Sequence, residues 1–120
     1  MKVIIAGSRS ITDLEIVKSA IERAYLYSGI LITEVISGCA SGVDSLGESW
    51  AYLMKIPVKR FRPLWERYGK AAGKIRNGEM VKEAEAAIFV WDGKSKGTKD
   101  CIDRAIQAGL KIHIEMPGEE

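Results

Sequence analysis

The clearest strand-to-helix transition in the chain is Val35-Ile36-Ser37-Gly38-Cys39-Ala40-Ser41-Gly42-Val43-Asp44. A β-branched run gives way to small residues, after which apolar side chains recur at helical spacing. This pattern predicts a strand, a tight loop and the start of a helix. Small side chains leave main-chain N–H groups accessible at the positive end of that helix, which suits a phosphate group. Taken alone, the same residues are equally compatible with an ordinary turn.

Two more loops of this kind follow apolar runs elsewhere in the chain. The run 2–6 leads into Gly7-Ser8-Arg9-Ser10, and the run 86–91 leads into Asp92-Gly93-Lys94-Ser95-Lys96-Gly97-Thr98. In an open parallel sheet the carboxyl ends of all strands lie at one edge, where ligands bind at the point of strand-order reversal. The three loops together therefore predict a ligand site at that edge.

The remaining pattern fits a single α/β domain over residues 1–120. Thr12-x-x-Glu15 indicates a capping box before a first helix that stops at Gly29, and Pro57 precedes a third strand. The expected elements further include a helical stripe over Val43, Leu46, Trp50, Leu53 and Met54, a strand from Val58 to Phe61, a helix from Ala71 to Ala84 and a strand from Leu110 to Ile114. Five strands alternating with four helices predict a three-layer, Rossmann-like fold around a parallel sheet.

Composition excludes several classes of protein. No apolar run is long enough to span a membrane, no secretory signal is apparent, and Cys39 and Cys101 are the two cysteines, in different segments. We therefore expect a cytoplasmic protein with no membrane partner. No spacing of histidine and cysteine resembles a metal site, and we expect no metal ion and no required cofactor.

Charge is concentrated in one segment, although the net charge is only +2. From Lys55 to Arg76 there are eight basic residues and one acidic residue, Glu66, a local balance of +7. This segment is either a surface for an anionic partner or a solvated face. Its aromatic residues, Phe61, Trp65 and Tyr68, are either stacking groups for bases or a cover for the core.

Three blocks of the sequence, in order, resemble the YspA-like branch of the SLOG superfamily, which includes DprA proteins and the Lonely Guy nucleotide hydrolases. They are residues 37–44, the pattern Pro63-x-Trp65-x-x-Tyr68-Gly69-Lys70-Ala71-Ala72-Gly73-x-x-Arg76-Asn77-x-x-Met80, and residues 91–98. The resemblance implies a bacterial or phage protein, a sheet ordered 3-2-1-4-5 and a nucleotide or nucleotide-derived ligand at its carboxyl edge. It also implies a homo-oligomer, for which Tyr25, Trp50 and Tyr52 are candidate surface aromatics.

The resemblance also implies which residues bind the ligand. They are Gly7, Ser8, Arg9, Ser37, Gly38, Cys39, Ala40, Ser41, Gly42, Asp44, Arg76, Asn77, Asp92, Gly93, Lys94, Gly97 and Thr98. Arg76 is expected to face phosphate without a protein partner in the unliganded state. Asp44 either faces the pocket or serves the positive end of its helix.

One departure from the Lonely Guy pattern bears on catalysis. Those hydrolases carry an essential glutamate three residues after the Gly-Thr threonine, and Cys101 stands at that position here. A neutral thiol cannot supply the carboxylate that would stabilise an oxocarbenium-like centre. We therefore expect no catalytic residues and a protein that captures a nucleotide or an ADP-ribose-like molecule, as a sensor or by sequestering it. A Lonely Guy-like hydrolase and a weak DprA-like binder of single-stranded nucleic acid remain the alternatives.

Overall fold

The computed structural model describes residues 1–118 and contains one five-stranded sheet flanked by helices. The strands are β1 (Lys2–Gly7), β2 (Glu34–Ser37), β3 (Val58–Arg60), β4 (Ala86–Val90) and β5 (Lys111–Glu115). The helices are α1 (Leu14–Ser28), α2 (Val43–Leu53), α3 (Trp65–Tyr68), α4 (Ala72–Glu83) and α5 (Lys96–Gln107), with a 3-10 turn at Gly69–Ala71 between α3 and α4.

All strand pairs are parallel, in the order β3-β2-β1-β4-β5. Strand β1 is central and pairs Val3 with both Val35 and Ala86. The order reverses between β1 and β4, because the chain moves outward to β2 and β3 on one side and to β4 and β5 on the other. The predicted fold class and strand order are confirmed, and the carboxyl ends of β1 and β4 form the crevice of an open α/β sheet.

Alternation along β1 divides the core into two layers. Val3 and Ile5 pack with buried residues of α1 and α2, whereas Ile4 and Ala6 pack with those of α4 and α5. Strands buried on both faces read as continuous apolar runs, which is why β1 and β4 are recognisable in the sequence.

Two local predictions about helices were wrong. Asp13, not Thr12, is the N-cap of α1, and its carboxylate accepts the N–H of Glu15 at 3.0 Å. The segment between β3 and β4 holds the additional short helix α3, so five helices accompany the five strands.

Helix α2 follows the predicted apolar stripe only in part: Val43 is buried and Leu46 and Trp50 pack against the core, but small residues share the buried face. Gly47 and Ala51 are buried, while Leu53 and Met54 are 66% and 57% exposed. A Cβ atom at Gly47 would lie 2.7 Å from Cγ2 of Ile5, so glycine allows α2 to approach β1 closely. This close approach brings the beginning of α2 over the carboxyl end of the sheet.

Within residues 1–118, no helix has the length and apolar character needed to cross a bilayer. The same residues contain no cluster of three or more acidic, histidine or cysteine side chains suited to a metal ion.

Candidate functional site

A small cleft lies where the strand order reverses, with a volume of about 80 Å³. Loops after β1, β2 and β4 contribute to its walls, together with α4 and the start of α5. The predicted residues that line it are Gly7, Arg9, Ala40, Asp44, Arg76, Asn77, Gly97 and Thr98. Ala6, Met80, Ser95 and Cys101 also line the cleft. The convergence of three loops at one edge therefore produces a concave site.

Asp44, in the first turn of α2, is the buried acid of the cleft. The residue is 5% exposed, and its Oδ2 atom accepts the N–H of Ala40 at 3.3 Å. Burial raises the pKa of Asp44 to about 6, against the lowering effects of the Ala40 N–H and of the positive charge on Arg76. The carboxylate thus lines the cleft and accepts an N–H group of the predicted phosphate loop; Ala40 precedes Gly42, the N-cap of α2, so this bond lies outside the helix.

Arg76, on α4, reaches across the cleft to the loop after β2. Its Nη1 atom donates to the carbonyl oxygen of Gly38, and its Nε atom donates to Oδ1 of Asn77 at 3.0 Å. The expectation that Arg76 has no protein partner without ligand was therefore wrong. This contact arises from the tertiary fold, because the short loop after β2 brings the Gly38 carbonyl within reach of α4.

Asn77 joins α4 to the beginning of α5. Its buried side chain donates through Nδ2 to the carbonyl oxygen of Gly97 at 3.2 Å and to Oδ2 of Asp100 at 3.0 Å. Arg104 also donates to that carboxylate oxygen, at 2.9 Å. Asn77 therefore holds the helix terminus in position and leaves little of its own amide for a ligand.

The amino end of α5 lines the cleft through Ser95, Gly97 and Thr98. Ser95 is the N-cap, and its Oγ atom accepts the N–H of Thr98 at 3.5 Å. A Cβ atom placed on Gly97 would meet nothing within 4 Å, so the backbone of this first turn is accessible. The first N–H groups of a helix lack intrahelical partners and attract anions. This end of α5 therefore has the chemistry to receive an anion.

Several predicted residues lie outside the cleft and brace its loops. Ser8 is buried, and its Oγ atom accepts the N–H of Asp92 at 2.9 Å. The carboxylate of Asp92 accepts the N–H groups of Lys94 and Ser95, at 2.8 Å each, and these bonds lower the pKa of Asp92. Gly93 follows in a left-handed conformation, with φ of 81°. Ser8, Asp92, Gly93 and Lys94 therefore fix the third loop.

The loop after β2 is braced in a similar way. The Ser37 hydroxyl donates to Oε2 of Glu48 at 2.6 Å and accepts the N–H of Cys39 at 3.2 Å. Arg60 donates to the other oxygen of Glu48 at 2.7 Å. Gly42 has φ of 76°, and a Cβ atom there would clash with the backbone of the first loop. Ser37, Gly38, Cys39, Ser41 and Gly42 shape this loop without lining the cleft.

Cys101 lines the cleft from the first half of α5. Burial, followed by the negative charge of Asp44, raises the pKa of the thiol to about 12. The group is therefore a neutral thiol near pH 7, as the sequence predicts for this position. A thiolate nucleophile is disfavoured here because reactive cysteines need a lowered pKa.

Among the residues that were not predicted, two polar ones, Ser95 in the cleft and Glu48 behind its loop, escaped prediction for different reasons. Ser95 lies inside the third loop and starts a Ser-x-x-Thr pattern, which is a recognisable helix-cap signal. Glu48 has no local signal, because its partners Ser37 and Arg60 come from β2 and β3. Only the packing of α2 against the sheet brings these three residues together.

Comparison with known proteins shows which family the chain belongs to. The model of the YspA, cpYpsA-related SLOG family matches residues 1–68. Gene 61 protein of Mycobacterium phage D29 is 32% identical over 117 residues, covering 92% of this chain and 93% of the phage protein. No solved structure shows a significant match. With the fold, the loop positions and these matches in agreement, the chain belongs to the YspA, cpYpsA-related SLOG family.

Proposed function

We propose that the protein binds a nucleotide or nucleotide-derived small molecule, such as an ADP-ribose-like compound, and acts as a sensor or a sequestering protein. The observation that carries the proposal is the accessible amino end of α5 in the same cleft as Arg9 and Arg76. Helix N–H groups and guanidinium groups are the usual partners of phosphate. Membership of the SLOG family also supports a nucleotide-related ligand.

Asp44 suggests how the ligand is oriented in the cleft. A buried carboxylate repels phosphate but accepts hydrogen bonds from hydroxyl groups. We therefore place the phosphate at the first turn of α5 and a sugar hydroxyl near Asp44. This arrangement differs from the sequence expectation that residues 37–44 hold the phosphate, because Asp44 already occupies the Ala40 N–H group.

A melting screen tests the proposal. The probes are AMP, ADP, dinucleotides, cyclic nucleotides and ADP-ribose, with nucleosides as controls that lack phosphate. A ligand that binds only the folded state should add about 2.7 kcal/mol of stability at one hundred times its dissociation constant. A screen in which no nucleotide raises the melting temperature refutes the proposal. If a single-stranded oligonucleotide alone raises it, with salt-dependent binding, nucleic-acid binding replaces the proposal.

One observation favours hydrolysis as a second candidate function. Asp44 lines the cleft, and a carboxyl pKa of about 6 suits proton transfer near neutral pH. Against it, the hydrolase resemblance requires a carboxylate where the neutral thiol of Cys101 stands. We expect no release of free base or ribose 5-phosphate from AMP. Multiple turnover that disappears in Asp44→Asn would establish the enzyme instead.

We also propose that the protein is a cytoplasmic homo-oligomer. An apolar hollow of about 510 Å³ lies between the carboxyl-terminal parts of α1 and α2, lined mainly by aliphatic and aromatic side chains that include Tyr25, Leu26 and Trp50. Exposed apolar patches of this kind often mark protein interfaces. Two free cysteines are compatible with a reducing compartment. Light scattering after gel filtration should show a species larger than 13.2 kDa, and Leu26→Glu should return it to a monomer.

A further inference from the structure

Arg76 separates two cavities at the edge of the sheet. One is the cleft described above, and the other is a hollow of about 20 Å³ lined by Arg62, Leu64, Tyr68, Ile75 and Glu79. The Arg76 side chain lines both cavities. A movement of this one side chain would therefore join them into a single groove.

The cleft as it stands is smaller than a site for a whole nucleotide. Sites for cofactor-sized ligands enclose roughly 300 Å³ or more, whereas this cleft has a volume of about 80 Å³. The phosphate and part of the sugar fit near α5 and Asp44, but a base needs further space. The hollow next to Tyr68 brings the total to only about 100 Å³ (80 Å³ plus 20 Å³), so the base must also use the space that the Arg76 side chain vacates and lie partly open to solvent.

The contacts of Arg76 permit the movement. Its guanidinium is held by hydrogen bonds to one carbonyl group and one side-chain amide and by attraction to the Asp44 carboxylate, which lines the same cleft, and the residue is only partly buried. A phosphate at α5 would offer charge-assisted hydrogen bonds in place of the neutral Gly38 carbonyl, and such bonds are roughly twice as strong. Binding of an anion thus favours release of Arg76 from the loop after β2.

The hollow has the chemistry of a base site. Tyr68 supplies an aromatic ring and is 37% exposed as a residue; the Arg67 guanidinium lies over one face of the ring, 5.2 Å from its centroid. Leu64 and Ile75 add apolar surface, while Arg62 and Glu79 supply a donor and an acceptor for polar base edges. Flat bases stack on aromatic rings and present hydrogen-bonding edges.

We propose that Tyr68 and the hollow behind Arg76 form the base subsite of the cleft, opened when Arg76 turns from Gly38 towards the phosphate. This inference rests on the proposed function, and it deepens that function by specifying a ligand with an aromatic base. The ligand then extends from the first turn of α5, past Asp44, to the ring of Tyr68.

Calorimetric titration with AMP and with ribose 5-phosphate tests the subsite, because the two probes differ by the base. We expect AMP to bind the wild-type protein at least tenfold more tightly. Tyr68→Leu should weaken AMP binding by about tenfold, within the range of one lost stacking contact, and leave ribose 5-phosphate binding unchanged. Tyr27→Leu is the matched control: Tyr27 is an exposed tyrosine of α1 and lines neither cavity, so both affinities should be retained.

The outcomes distinguish the subsite from the site. Equal wild-type affinities for the two probes refute the base subsite, while binding of ribose 5-phosphate still supports the proposed function. An unchanged AMP affinity in Tyr68→Leu also refutes it. If neither probe nor ADP-ribose binds, the proposed function fails and the subsite fails with it. Should Tyr68→Leu unfold, two other measurements test the base subsite. They are the ratio of the wild-type affinities for AMP and ribose 5-phosphate, and AMP binding by Tyr68→Phe, which should be retained.

Discussion

Replacing Asp44 by asparagine should make the unliganded protein more stable at neutral pH. The carboxyl group is buried, and its pKa rises from the ordinary 3.8 to about 6 in the folded protein. A raised pKa means that the folded state binds the proton more tightly than the unfolded state does. The stabilisation from this group is therefore complete below about pH 4 and is lost as the pH rises through about 6.

The magnitude follows from the same shift. Two pKa units correspond to about 3 kcal/mol of free energy, which the charged carboxylate costs the folded protein above pH 6. Asparagine remains neutral, and its side-chain oxygen retains an acceptor for the N–H of Ala40. Asp44→Asn should consequently match the wild type near pH 4 and exceed its free energy of unfolding by up to about 3 kcal/mol at pH 7.5.

Urea unfolding of both proteins between pH 4 and pH 8 measures this difference. Asp103→Asn is the control, because Asp103 is an exposed acid of α5 paired with Lys99 at 2.9 Å and should show no comparable gain. If the difference between Asp44→Asn and the wild type does not change with pH, the burial argument is wrong. A less stable variant at pH 7.5 would mean that the attraction between Asp44 and Arg76 outweighs the cost of burial.

Arg76→Ala should lower the free energy of unfolding by about 1–2 kcal/mol, because two hydrogen bonds are lost, and weaken AMP binding ten- to a hundredfold, because the proposed phosphate partner is lost. Lys74→Ala, at an exposed position of the same helix, should change neither quantity. Equal AMP binding by the two variants would remove Arg76 from the site. Cys101 should resist iodoacetamide at pH 8 in the folded protein and react in urea, as followed by mass spectrometry; rapid native labelling would contradict the raised pKa. Gly42→Ala should lower the free energy of unfolding, measured in urea, by at least about 2 kcal/mol, because the left-handed backbone and the neighbouring loop both oppose a Cβ atom. Gly97→Ala should lower it much less, because the space around its Cβ position is open.

The sheet could be predicted from sequence because its signals are local. Runs such as 2–6 and 86–90 are apolar on both faces, and each ends in small residues at the point where the strand ends. The parallel arrangement then places those loops at one edge without further information. The boundaries of α1 and the buried face of α2 were less predictable, because Asp13 and Gly47 act through individual contacts that periodicity does not reveal.

Which loop residues line the cleft and which brace the loops could not be predicted from residue type. Ser8 and Arg9 are neighbours in the first loop, yet Ser8 braces the third loop and Arg9 lines the cleft. Likewise, Asp92 is fully committed to the turn that follows it, whereas Ser95 lines the cleft. A small or polar residue in a loop can serve a ligand or the loop itself, and only the three-dimensional contacts distinguish the two.

The polar groups of the cleft are already bonded to one another in the unliganded protein. Asp44 accepts the N–H of Ala40, and Arg76 donates to the carbonyl of Gly38. A ligand at the proposed site would replace these bonds, so its gain from each would be only the difference between two hydrogen bonds, on the order of 1 kcal/mol. At the proposed site, an anion without a hydroxyl group would reach the amides of α5 and attract Arg76 but bring no donor to Asp44. It follows that a small anion without a hydroxyl group, such as sulfate, should bind more weakly than a ligand carrying both a phosphate and a sugar hydroxyl.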